Sequence, residues 1–265
     1  MLFRTKVVAL LVSGLLSSPA LALNISFAYD ASNEFFTEER LNAIERAASV
    51  YEGYITNDLN LTVSLLTRAD NSALAWGGSG FGTVTKDGKS TLIPHFSTVT
   101  FSDGWGCENE VCKSWEWYSG TDEGFRGYDV FSVMVHELGH VLGIGTAGLW
   151  ANQVSDGYFY GENAVAVYGG PVPLALYDTR YVHWAVGVMS TLPGTDTWQR
   201  TSYDPFIPYG QRQYLTDLDL AGLKDIGWTI STVSAVPEPE MLYMLLSGLG
   251  IVGALARRQR ARAAR

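Results

Sequence analysis

From Leu23 onward apolar and polar residues alternate, with Ile25, Phe27 and Tyr29 on one side, which is the period of a half-buried strand. The period then lengthens. Leu41, Ile44, Ala47, Ala48 and Tyr51 recur three and four apart, and Thr37 followed by Glu38 and Glu39 supplies a hydroxyl cap and an acidic first turn. Alternation returns from Leu59 to Leu66, so strand, helix and strand predict a βαβ-like opening. The run Trp76-Gly77-Gly78-Ser79-Gly80-Phe81-Gly82 lacks the spacing of a phosphate-binding loop and reads as a loop or an edge strand. β-Branched and aromatic residues from Thr91 to Phe101 predict one or two further strands. Asp129 then stands where a helix cap is needed, and Val130, Val133, Met134, Val135, Leu138, Val141 and Leu142 make a helix apolar enough to be mostly buried. Gly143 can adopt a left-handed conformation and stop it. Beyond this point glycine, proline and aromatic residues show little periodicity until Leu218, Leu220, Leu223 and Ile226, which predict a short final helix after Thr216. No internal repeat is visible.

Both ends of the chain read as addresses rather than fold. Residues 1–22 place Arg4 and Lys6 before the apolar run Val7 to Leu16 and the Ala20-Leu21-Ala22 site, the layout of a signal peptide cut after Ala22. Residues 236–265 contain Val236-Pro237-Glu238-Pro239, an apolar stretch from Met241 to Ala256, and a tail with Arg257, Arg258, Arg260, Arg262 and Arg265. The stretch is a little short against the roughly 20 residues a bilayer core wants, and the arginines after it would stay on the cytoplasmic side. This arrangement resembles the PEP-CTERM sorting tail. The resemblance implies a transient membrane anchor and recognition and removal by an exosortase-type enzyme, with the protein exported to the periplasm, the outer surface or the extracellular matrix.

Removing both ends changes the charge. Two basic residues leave with the signal and five with the tail, so 11 of 18 remain, while losing Glu238 and Glu240 leaves 25 of 27 acidic ones, a net charge near −14. So acidic a body excludes nucleic acid as a partner. Residues 23–235, in a chain 47% hydrophobic and 17% charged, hold ample material for a core. Cys107 and Cys112 are the only cysteines, and an even number in an exported chain favours a disulfide closing a small loop. Trp105, Trp115 and Trp117 around them are expected to pack there, with a binding groove as the alternative.

The candidate chemistry lies in the apolar helix. His136 and His140 are four apart, so both imidazoles face one way and can hold one zinc ion, Zn2+. Glu137 lies beside them, within reach of a proton on a water activated at the metal. A catalytic zinc usually takes three protein ligands. After a glycine turn like that at Gly143, metzincins place histidine where this chain has Thr146. The remaining candidates for the third ligand are His183, Glu162 and His95, with His183 the expected one. Met189, six residues after His183, is the candidate for an apolar floor below the metal, and Tyr203 in Ser202-Tyr203-Asp204-Pro205 is the alternative.

The segments HELGHVLGIGT, Leu149-Trp150, His183-Trp184 and YLTDLDLAGLKDIGW together resemble the leishmanolysin-type branch of the metzincin zinc peptidases over residues 135–228. In that branch an insertion separates the glycine turn from the third histidine, which implies His183. The fold implied is α+β and zincin-like, a mixed sheet plus the active-site helix in an upper lobe and an irregular lower lobe with a C-terminal helix. The activity implied is secreted zinc-dependent endopeptidase, with protein or peptide substrates and Glu137 as general base. Two alternatives stand beside it: a non-catalytic adhesion protein of a polysaccharide matrix on a zincin fold, and a gluzincin-type peptidase whose third ligand is Glu162.

Overall fold

A computed structural model describes residues 23–69, 72–86, 88–103, 106–108, 111–113 and 115–231. The expected signal peptide, residues 1–22, and the C-terminal run 241–256 lie outside them, and among the described residues no helix is long and apolar enough to cross a membrane.

The opening alternation forms β1 (Leu23–Ala28), with Leu23 and Ile25 turned into the core. The helix α1 (Glu38–Tyr54) follows, its Thr37 side chain accepting the Arg40 N–H and its Ala43, Ile44, Ala47, Ala48 and Tyr51 face buried. β2 (Leu59–Arg68) then lies parallel to β1 and buries Leu61, Val63 and Leu65, so the βαβ expectation matches the structure. The glycine run becomes the edge strand β3 (Ala75–Lys86), and residues 91–101 belong to one long strand, β4 (Lys89–Ser102). The sheet order is β1-β2-β4-β3, with β3 alone antiparallel. Its ladder shifts between Gly78 and Gly80, where the bulged Phe96 takes a φ of 52°.

β5 (Gly106–Glu108) and β6 (Val111–Lys113) pair Cys107 with Cys112 across the ladder. The cysteine side chains, and with them the expected disulfide, lie outside what is described, as does Trp105. β7 (Trp117–Tyr118) runs parallel to β8 (Tyr128–Asp129). The Trp117 ring packs against Phe35 and Phe101, at 5.7 and 5.8 Å between centroids, while the Trp115 indole donates to the Ser102 hydroxyl. These two tryptophans serve as packing, as expected.

The apolar helix is α2 (Val130–Val141), and all twelve of its residues are buried. Asp129 caps it by accepting the Ser132 N–H, and the same carboxylate receives Arg212 through two N–H groups at 2.9 and 3.0 Å. Gly143, at φ 112°, turns the chain out of the helix. Short elements follow: α3 (Gly148–Ala151), β9 (Val154–Ser155), β10 (Tyr158–Phe159), α4 (Glu162–Tyr168), β11 (Val172–Tyr177), β12 (Arg180–Trp184), β13 (Met189–Thr191), β14 (Trp198–Arg200) and α5 (Asp217–Asp225). β9 to β12 form a second four-stranded sheet, whose Phe159 and Trp184 pack their rings against each other and against Trp150 of α3. The described residues therefore make a mixed α+β fold with several sheets and five helices.

The Asp129–Arg212 pair joins the start of α2 to a segment far along the chain, and the Asp129 side chain is fully buried. Replacing Asp129 with Ala removes a cap and strands a partly buried guanidinium, so unfolding free energy falls by about 3 kcal/mol. Thr37→Ala removes a cap alone and costs about 1 kcal/mol. Urea unfolding of the two variants checks this ordering.

Candidate metal centre

α2 sets the first two imidazoles one turn apart on one face. The Nε2 atoms of His136 and His140 stand 3.1 Å from each other. The third comes from β12, where His183 brings its Nε2 to 3.2 Å from that of His136 and 3.0 Å from that of His140. This placement depends on the hairpin β11–β12, in which Ala175 faces His183 and the tight turn holds Asp178 and Thr179 at φ 42° and 74°. The ladder shifts between Ala175 and Leu176, and such irregularities bend a strand locally and re-aim its side chains.

Hydrogen bonds fix the tautomers. His136 donates from Nδ1 to the Ser202 carbonyl at 2.7 Å, and His140 donates from Nδ1 to the Ile144 carbonyl at 2.8 Å. A carbonyl can only accept, so Nδ1 carries the proton in both rings and each Nε2 presents a lone pair. His183 Nδ1 is buried without a partner. Burial, reinforced by the neighbouring ring of His140, holds His136 at about 3, and burial likewise lowers His140 and His183. The three rings are neutral at pH 7. The Nε2 lone pairs of His136 and His140 face each other and the Nε2 of His183, and these three are the group among the described residues that could hold an ion.

Glu137 is buried beside this cluster without joining it, and the backbone N–H of Gly77 on β3 donates to its carboxylate. Burial pushes the carboxyl up to about 8, against the opposing Gly77 hydrogen bond. The strand passes very close: a Cβ on Gly77 would stand 2.4 Å from the Glu137 carbonyl oxygen. Only glycine lets the edge strand approach the helix there. A buried acid with a displaced pKa next to a ligand cluster is the pattern of a functional site.

The floor of the site corrects the choice of Met189. That residue begins β13 and is 41% exposed. The alternative, Tyr203, is fully buried: its ring stands 6.3 Å from that of His136 and lies so close to α2 that a Cβ on Gly139 would come within 2.0 Å of it. Its hydroxyl meets the Tyr51 hydroxyl at 3.1 Å, and Tyr51 donates to the Val135 carbonyl. Met189 falls short because the strand pair β13–β14 pairs it with Arg200, leaving Ser190 as the inward-facing residue.

The other candidates are elsewhere. Glu162 is exposed at the start of α4, and His95 is exposed on β4, its ring against Gly80. Thr146 donates its hydroxyl to the His140 carbonyl at 2.7 Å, so it secures the end of the helix. The carbonyls of Ser202 and Ile144 escaped sequence reasoning because backbone acceptors leave no mark in residue identity. Asp219 escaped too, although Thr216 and Asp219 carry the spacing of a capping box, which the structure contains.

The PEP-CTERM protein-sorting motif matches residues 235–261. No curated protein and no solved structure matches the chain. The chain thus carries the sorting signal that exosortase-type enzymes recognise, which marks it as an exported protein of the cell envelope or the extracellular space.

Proposed function

We propose that the protein is an exported zinc-dependent endopeptidase with a metzincin-like fold of the leishmanolysin type. The observation that carries the reading is the meeting of three neutral imidazole Nε2 atoms within 3.2 Å of one another, with the buried Glu137 alongside. A tetrahedral zinc bonded at about 2.0–2.1 Å to three nitrogens holds them roughly 3.3–3.4 Å apart, so these residues fit the ion after opening by a few tenths of an ångström. Zinc bound there supplies a Lewis acid that polarises an amide carbonyl and lets water ionise near neutral pH.

The chain's own residues do the rest. Ser202 and Ile144 fix the ring orientations of His136 and His140 and keep their Nε2 lone pairs directed inward. Glu137, whose ionised form a cation held by the imidazoles would favour against the effect of burial, would then accept the proton of the attacking water and pass it to the departing amine nitrogen. β3 is the edge of its sheet among the described residues and runs over Glu137, so an extended peptide can add to it by main-chain hydrogen bonds. That edge favours a peptide substrate.

Exposed aromatic residues, Trp198 at 64% and Phe206 at 62%, favour a second reading in which the protein adheres to an extracellular matrix without catalysis. A casein zymogram with and without chelator separates the two, because an adhesion protein gives no clearing in either lane.

Under the peptidase reading, Glu137→Gln keeps one zinc per chain and lowers casein hydrolysis by about 10²–10⁴-fold. Hydrolysis at the parent rate would remove Glu137 from the mechanism. His183→Ala loses stoichiometric zinc, whereas Glu162→Ala retains it, as measured by metal analysis of the purified exported protein. Retention in the first variant with loss in the second would favour the gluzincin arrangement.

A further inference from the structure

His183 raises a question that its own contacts do not answer. Its Nδ1 has no hydrogen-bond partner, while His136 and His140 each have a backbone carbonyl. Its position must therefore come from the chain around it, and the next residue, Trp184, is fully buried and donates its indole N–H to Asp219 Oδ1 at 3.0 Å. Asp219 Oδ2 accepts the Ser202 N–H at 2.9 Å, and Ser202 is the residue whose carbonyl holds His136. One carboxylate thus reaches both sides of the imidazole cluster, each through a single intervening residue.

Capping of α5 does not account for this. Thr216 gives its N–H and hydroxyl to Oδ2 at 2.8 and 2.7 Å, which completes the capping box. The Trp184 and Ser202 hydrogen bonds are additional, and Asp219 is fully buried. A carboxylate can take donors on both oxygens at once, whereas a carboxamide offers one oxygen and turns its NH2 towards a donor. The acid is required by the arrangement.

We propose that Asp219 is a positioning residue for the metal centre: it ties the strand bearing His183 to the turn bearing Ser202 and so sets the spacing of the three Nε2 atoms. This rests on reading those imidazoles as zinc ligands. Asp225, at the other end of α5, is the matched control. Its carboxylate accepts Asn163 N and Nδ2 and Ala164 N at 2.8, 2.6 and 2.8 Å, holding α4 without touching the residues next to the imidazoles.

The test measures zinc dissociation constants by chelator competition, and cobalt(II) d–d absorption as a report on ligand geometry, in the exported protein. Asp219→Asn raises the zinc dissociation constant by about tenfold and changes the cobalt spectrum, while Asp225→Asn leaves both as in the parent. Urea unfolding of both variants shows how much stability each has lost. If Asp219→Asn fails to fold, Trp184→Phe decides: it removes the indole donor together with part of a buried ring, so its zinc affinity is read against Phe159→Leu, which loses packing from the same aromatic cluster and keeps that hydrogen bond. Parent-like affinity and spectrum in Asp219→Asn, or in Trp184→Phe where that variant decides, overturn the positioning role and leave the metal centre standing. A parent protein that binds no zinc overturns the metal centre and the positioning role together.

Discussion

Three imidazole rings meet with their Nε2 atoms within 3.2 Å of one another, those of His136 and His140 both bare, and much of the described structure serves to hold them there. Two of the rings sit on α2, every residue of which is buried, so neither can swing out to water. Each of these two is pinned through Nδ1 by a carbonyl from outside the helix, and Tyr203 closes the space below Gly139. Such an arrangement is unfavourable by itself. Under the proposed reading a cation between the lone pairs would turn their repulsion into attraction, so binding and structural order would reinforce each other.

The parts of the fold that could be read in advance are those whose side chains repeat with a period. β1, α1, β2 and α2 each span enough residues for alternation or helical spacing to stand out, and the caps at Thr37 and Asp129 marked the helix starts. The HExxH spacing likewise placed His136 and His140 on one face. The segment after Gly143 gave little, because strands of two to six residues are too short to show a period. Spacing and resemblance point to His183, and it stands beside the helix pair. Met189 shared the same spacing argument and missed, since which face of a short strand points inward depends on a partner strand that sequence does not identify.

The opposite side of the site shows how an edge strand can serve a helix. An edge strand such as β3, the last of its sheet among the described residues, would ordinarily be a liability, since its outer backbone groups can pair with another chain. Here glycine brings it into direct backbone contact with Glu137, and the same glycine supplies a hydrogen bond to the carboxylate. The exposed edge and the buried acid are two faces of one short stretch.

The hydrogen bonds that assemble the cluster span long stretches of chain. His136 waits for an acceptor 66 residues later, the ring of His183 lies 47 residues on, and the Asp129 cap meets Arg212 after 83. A polypeptide emerging from its N-terminus can build the βαβ unit early, yet it cannot close the ligand cluster until most of its length has arrived. For an exported protein that delay has a chemical meaning: if the cluster takes an ion, as proposed, the trap is completed late, on the far side of the membrane, and would draw on whatever metal is available there.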